Sequence, residues 1–274
     1  MKYADLHVHT NESDGTSSPE KLVQQAIRAG LSGVAIVDHD TVNALPRAIS
    51  AAQSSSLTII PGIELTAQYE NQEIHILGYF IDYLNAQLLE KLILVRQNRV
   101  ERVKKIVFNL KELGVNLDPQ VVFDIAGNAS VGRMHLARAL LKEGLVSSTS
   151  EAFQKYIGDK SPAYVLGFKL TPREAFQLIK DAGGVPVLAH PYIIRNDNLI
   201  TQFAKEGLIG LEVYYPEHSQ SMINFYLGLA KELGLLVTGG SDFHGSAKPD
   251  VSLGKAKVPW ELVQKLQAAS RSNR

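Results

Sequence analysis

The stretch YADLHVHTNESDG, residues 3–15, sets two histidines two positions apart at the end of an apolar, strand-like run. Successive side chains of a strand point to opposite faces, so His7 and His9 project together, on the side that also carries Asp5. Neither water nor an apolar core asks for that pairing. Outward from it, strand-like runs recur at Gly33–His39, Leu57–Glu64, Glu73–Phe80, Val185–His190, Ile209–Tyr214 and Leu235–Ser241, with helical segments between them. With Tyr3–His9 these make seven runs, mostly short and continuously apolar, the pattern of a buried and largely parallel sheet. Ser17 and Glu20 suit a helix capping box, with Pro19 in the first turn and Gly30 as the stop. Thr171, Pro172 and Glu174 repeat that punctuation ahead of Gly183 and Gly184. Strand, helix, strand repeated in this way predicts a barrel or an open doubly wound sheet.

From about Asn85 to Leu170 the pattern is nearly all helical, which reads as a helical subdomain inserted between two barrel strands. Its first helix, about Ala86–Leu113, carries a modest basic surplus (Lys91, Arg96, Arg99, Arg102, Lys104, Lys105 and Lys111) that a solvated face explains better than phosphate binding. The C-terminal AASRSNR reads as frayed. In all, 274 residues suffice for one large domain with an insertion, and the 28 basic and 28 acidic residues cancel. Global charge therefore gives no argument for DNA or a membrane surface. With no cysteine, disulfides and thiolate metal sites are excluded. No run approaches the length of a membrane span and no signal peptide is apparent, so the expected location is the cytoplasm.

Polar residues cluster where the strand-like runs end: His7 and His9, His39 in VDHD, Glu64 in PGIE, His190 in VLAHP, and Asp242 with His244 in GGSDFH, while His75 lies inside EIHILGY. In parallel α/β folds the carboxyl ends of strands gather on one face, so six of the eight histidines converge on one mouth. Packing them there with carboxylates and no metal would leave several costly polar groups to satisfy. Imidazole and carboxylate without sulfur suit Mn²⁺, Zn²⁺ or Fe²⁺ and leave room for Mg²⁺. Nine candidate ligands, His7, His9, Asp14, His39, Glu64, His75, His190, Asp242 and His244, exceed what one ion takes and call for two or three. Closely spaced ions that share a hydroxide and polarise a phosphoryl oxygen form a hydrolase arrangement.

These residues resemble the polymerase and histidinol phosphatase (PHP) superfamily through DLHVHT, SDG, VDHD, GIE, IHILGY, AHP and GSDFH, in order and across nearly the whole chain. The resemblance implies a distorted seven-stranded (β/α)7 barrel over 1–84 and 171–274, with 85–170 as the inserted helical substrate-recognition subdomain. It also implies up to three metal ions and hydrolysis of phosphoesters. By position, His7, His9, Glu64 and Asp242 would hold one ion; Glu64 would bridge to a second, held by His75 and His190; Asp14, His39 and His244 would hold a third. A metal-bridging hydroxide would attack phosphorus in line.

The chain is further similar to the nucleoside 3′,5′-bisphosphate phosphatases, some of which act as 5′-to-3′ exoribonucleases on short RNA. The helical insertion and its SVGRMHLARAL segment carry that similarity, implying that Arg133 and His135 contact a substrate phosphate. Arg195 is a further phosphate candidate and His218 a candidate substrate contact or proton donor. Asp5 and Asp38 read as partners that orient ligating histidines. Alternatives are a histidinol-phosphate-type or other small-molecule phosphatase, and a metal-stabilised nucleotide-binding module without turnover. No obligate protein partner is implied.

Overall fold

The computed structural model describes residues 1–167 and 170–272. Among them are eight strands: β1 Tyr3–Val8, β2 Gly33–Ile36, β3 Thr58–Tyr69, β4 Gln72–Tyr79, β5 Val185–Leu188, β6 Gly210–Tyr214, β7 Leu236–Gly239 and β8 Val258–Pro259. The helices are α1 Pro19–Arg28, α2 Ala44–Ala52, α3 Ala86–Glu112, α4 Pro119–Ala126, α5 Arg133–Lys142, α6 Thr149–Ala152, α7 Pro172–Asp181, α8 Asn198–Glu206, α9 Gln220–Leu233 and α10 Trp260–Ser272. A single sheet in the order β7-β6-β5-β4-β3-β2-β1-β8 curls into a nearly closed barrel. It closes at the mouth, where the His9 N–H donates to the Phe243 carbonyl at 2.9 Å beside a parallel bridge between Val8 and Phe243. The β8 strand pairs with Tyr3 and Ala4 at the start of β1, and α10 packs on β1, β5 and β7, so both lie at the end opposite the mouth.

Seven of the strands fall where the sequence predicts them, and β8 is an addition of two residues. The sheet is not as parallel as expected. The β1–β2–β3 and β5–β6–β7 ladders are parallel, whereas β4 runs antiparallel to both β3 and β5. β3 also continues past Glu64 to Tyr69 and turns directly into β4, placing His75 opposite Thr66. Because β4 is reversed, its start rather than its end lies at the mouth, which is how an internal strand residue such as His75 reaches the same face as the strand ends.

The capping box at Thr171 and Glu174 is present, with the Glu174 carboxylate accepting the Thr171 N–H at 2.7 Å. At α1 the cap is Ser18 rather than Ser17, and the Ser17 hydroxyl instead bonds the Gln25 side chain. The helix α10 runs to Ser272, so AASRS is helical rather than frayed; the last two positions of that stretch lie outside the described residues. Two large apolar clusters sandwich the barrel wall, one reaching α1, α2, α7 and α8 and the other joining Leu6, Val37, Leu77 and Val187 to Val263 and Leu266 of α10. A third cluster, built around Val103, Ile106, Leu110, Leu136 and Leu140, holds α3 to α6 and the π-helical turn Phe153–Ile157 together. No helix among the described residues is long and apolar enough to cross a membrane.

Candidate metal centre

All nine predicted ligands meet at the barrel mouth. The buried Glu64 sits at their centre, its two oxygens facing different histidines. Oε2 lies 3.1 Å from His9 Nε2, 3.3 Å from His7 Nε2 and 3.4 Å from His39 Nδ1, while Oε1 lies 3.0 Å from His75 Nδ1 and 3.3 Å from His190 Nε2. Asp242 Oδ1 is 3.3 Å from both His9 Nε2 and His244 Nδ1, and Asp14 Oδ1 is 3.2 Å from His244 Nε2. Three sets of donors lie close enough to share an ion: His7, His9 and Asp242; His39, Glu64 and His75; and His9, Asp14, His39 and His244. The expected division of ligands is thus blurred at His9 and His39, each of which belongs to two sets.

Several of these nitrogens face carboxylates without a well-formed hydrogen bond. His9 Nδ1 and Nε2, His39 Nδ1 and His75 Nδ1 are buried without a hydrogen bond, an expensive state for polar atoms. Two donors each about 2.1 Å from one ion stand about 3.0–3.4 Å apart, the spacing found here between imidazole nitrogens and carboxylate oxygens. The residues therefore fit divalent ions, with nitrogen and oxygen donors only. Backbone strain accompanies the site: Asp40, His190 and Asp242 all adopt positive φ, at 51°, 27° and 54°. Such strain in non-glycine residues persists where surrounding structure enforces it.

Burial opposes charge on His9, His39, His75, Asp14, Glu64 and Asp242, and their partners outweigh it at all of these but His39. For His9, burial is outweighed by the neighbouring Asp242 and Glu64 carboxylates, which hold it up at about 9. His75 is held at about 10 against burial by the Glu64 and Glu73 carboxylates. In His39, burial prevails and, with the neighbouring histidines, pushes it well below the ordinary imidazole value. Asp14, Glu64 and Asp242 are held well below the carboxylate range, burial being overcome by the surrounding histidines and, for Asp242, by Lys248. The Glu212, Glu64 and Asp242 carboxylates likewise hold His7 well above the ordinary imidazole value against burial, so at pH 7 the metal-free cluster carries protons on His7, His9 and His75 that an ion must displace. Calorimetry of Mn²⁺ binding in buffers of differing ionisation enthalpy should show proton release at pH 7, with affinity climbing towards pH 9. Affinity independent of pH and without proton release would contradict these protonation states.

The second layer departs from expectation. Asp5 accepts the His7 backbone N–H at 3.3 Å, the Ser241 N–H at 2.8 Å and the Gly254 N–H at 2.7 Å, pinning the β1 to β7 junction rather than a histidine ring. Asp38 accepts the Thr10 N–H at 2.7 Å and the Ser13 hydroxyl at 2.5 Å, fixing the loop that delivers Asp14. A carboxylate that does orient a candidate ligand is Glu212, in the middle of β6 and fully buried. It accepts His7 Nδ1–H at 2.8 Å and the His190 backbone N–H at 2.7 Å, turning His7 Nε2 towards Glu64 and Asp242. Asp242 Oδ2 is held in turn by the Tyr215 hydroxyl at 2.8 Å and Lys248 Nζ at 2.6 Å. An acidic residue inside an apolar strand, as in GLEVY, was the available signal for Glu212.

Above the cluster opens a cavity of about 600 Å³, walled on one side by Arg99, Arg102 and Arg133 of the helical segment and on the other by Tyr192, Tyr215 and Lys248. Arg99 and Arg102 are not on a solvated face, contrary to the reading of the first helix. Arg99 Nε donates to Asp40 at 2.7 Å, and Arg102 donates to Glu73 at 2.7 Å. Glu73, another carboxylate the sequence reading passed over, also faces Arg133 at 3.4 Å and His75 at 3.2 Å. Arg133 reaches the cavity, paired with Glu73 and Asp159 and lying over the Tyr164 ring. His135 does not line it. It is buried with Nδ1 accepting the Gly132 N–H at 3.1 Å, so it caps α5, and burial holds it down at about 4. His218 also stands back from the cavity, its Nδ1 bonded to the Val213 carbonyl at 2.8 Å and its ring packed on Tyr215. Arg195 lines a neighbouring hollow instead.

Comparison with known proteins follows the same lines. Residues 5–169 match the PHP domain family. The chain is 33% identical to the 5′-3′ exoribonuclease Rnm of Escherichia coli over 92% of its length and 88% of the relative's. It is 30% identical to the 3′,5′-nucleoside bisphosphate phosphatase of Chromobacterium violaceum, over 89% of this chain and 88% of that one. Among solved structures, a Bifidobacterium adolescentis protein described as a metal-dependent phosphoesterase superposes with a TM-score of 0.89 at 33% identity, covering 97% of this chain and 95% of the other.

Proposed function

The chain belongs to the PHP domain family of metal-dependent phosphoesterases, and from that premise we propose that it hydrolyses the phosphate ester at the 3′-oxygen of a nucleotide that also carries a 5′-phosphate. One bond unites the two activities named among its relatives. In a nucleoside 3′,5′-bisphosphate the phosphorus at O3′ is a terminal phosphate, and in a 5′-phosphorylated RNA it carries the next nucleotide. Water adds to phosphorus, the bond from phosphorus to O3′ breaks, and O3′ departs with a proton. The observation that carries this reading is the single cavity in which the nine-ligand cluster faces a wall of arginines.

Each residue has a part in that reading. Glu64 faces His7 and His9 with one oxygen and His75 and His190 with the other, so these residues with Asp242 would hold two ions, and Asp14, His39 and His244 would hold a third. Divalent ions held there would supply positive charge to a phosphoryl oxygen and lower the pKa of water towards neutrality. Arg133, at the start of α5, receives the 5′-phosphate, for which its planar fork is suited. Tyr215 and Lys248 hold Asp242 in place from behind. Work in the cytoplasm is consistent with a chain that has no cysteine.

A substrate panel tests the reading. With Mn²⁺ present, phosphate release from adenosine 3′,5′-bisphosphate should exceed that from adenosine 3′-monophosphate or histidinol phosphate by at least about tenfold, and Arg133→Ala should erase most of that preference. Equal rates on all three substrates, or a preference that survives in Arg133→Ala, would count against it.

A further inference from the structure

Beside the metal cavity lies a second hollow of about 430 Å³ that shares Tyr192 as a common wall. Its other lining includes Arg195, Asp197, Met222, Phe225 and Tyr226. Three features set it apart from ordinary surface. Phe225 is 51% exposed on α9, a large aromatic face left to solvent beside a functional cavity. Arg195 is exposed and, among the described residues, forms no ion pair, although Asp197 lines the same hollow and instead accepts the Tyr226 hydroxyl at 3.3 Å. The backbone at Arg195 is left-handed, at φ 55°, a conformation that glycine or asparagine adopts at less cost. Flat aromatic faces with an unpaired guanidinium are what a nucleobase and its phosphate need, since bases stack on aromatic rings without regard to sequence and cations track the backbone.

We propose that this hollow receives the second nucleoside of a short single-stranded RNA, its base stacked on Phe225 and Tyr192 and the following phosphate met by Arg195. The inference rests on the reading that the bond from phosphorus to O3′ of the 5′-terminal nucleotide is cut. When that bond breaks, the phosphorus stays with the second nucleoside, so the fragment in the hollow leaves with a new 5′-phosphate and the first nucleotide leaves with a free O3′ hydroxyl. A nucleoside bisphosphate has nothing to place in the hollow. The site thus distinguishes an oligonucleotide from a mononucleotide while the same metal cluster serves both.

The test compares Phe225→Ala, Arg195→Ala and the double variant with the parent chain on a diadenylate phosphorylated at both its 5′ and its 3′ end, which supplies the phosphate for Arg195, and on adenosine 3′,5′-bisphosphate. The ratio of kcat/KM on the dinucleotide to that on the bisphosphate should fall about tenfold in the double variant, through KM rather than kcat, the effect of about one stacked base. An unchanged ratio, or a parent chain that cleaves the bisphosphate and leaves the dinucleotide intact, would overturn the inference while leaving the proposed function standing. Cleavage of neither substrate would remove the proposed function. Binding then decides the hollow by itself: anisotropy of a 3′-labelled, 5′-phosphorylated five-nucleotide RNA should report about tenfold weaker affinity for the double variant without turnover, and equal affinity would overturn the inference. Sedimentation completes the set, because a dimer that dissociates in Phe225→Ala would make the hollow a contact between copies and overturn the inference as well.

Discussion

Glu64→Gln should lower phosphate release by at least about 10³-fold with the fold retained, the cost of losing several kcal/mol of charge stabilisation. The amide has nearly the volume of the carboxylate, so the barrel has no packing reason to fail. What it removes is the one negative group that touches five histidines, at 3.0 to 3.4 Å, through both of its oxygens. An amide keeps one carbonyl oxygen and points an NH₂ at the others, so it cannot serve both sides of the cluster. Metal content should drop together with activity. A variant that kept both its full metal content and its phosphate release would show that the carboxylate is structural.

Glu212→Gln should weaken Mn²⁺ binding by about 10- to 100-fold, the usual consequence of disturbing a carboxylate that orients a ligating histidine. Glu212 faces two donors, His7 Nδ1–H and the His190 backbone N–H. An amide can accept from one and must present its own N–H groups to the other, leaving a buried donor unmatched at about 1–3 kcal/mol. Packing alone would change stability and leave the ring protonation of His7 as it was. Nitrogen NMR of His7 separates the two roles, because a positioning role requires the proton to leave Nδ1 in a share of the variant molecules. An unaltered His7 spectrum with unaltered Mn²⁺ affinity would assign Glu212 to the core only.

How far the sequence carries depends on what each residue's neighbours are. Most of the nine candidate ligands are legible because strand ends converge in α/β folds, a convergence that requires no knowledge of side-chain contacts; Asp14 and His75, in a loop and inside a strand, are carried by the motif instead. β4 was legible as a strand but not in its direction, since an antiparallel hairpin and a crossover begin with the same apolar run; the polar residues Thr66 and Gln68 in the extension of β3 further hid the hairpin. Glu212 and Glu73 were missed for the opposite reason. Both are carboxylates set into strands, which marks them as unusual, but their partners His7, His190, Arg102 and Arg133 emerge only in the tertiary structure. Charge on a long helix commonly marks a solvated face, whereas here α3 lies over the mouth and turns Arg99 and Arg102 inward. His135 shows that a short motif marks a position without fixing a role: Arg133 enters the cavity, and the histidine two residues on caps the same helix.

Anomalous diffraction from crystals soaked in Mn²⁺ addresses the bridging role of Glu64 most directly. Two or three peaks are expected at the barrel mouth, with at least two of them about 2.0–2.3 Å from different oxygens of Glu64. A single peak, or peaks that leave Glu64 uncoordinated, would contradict it.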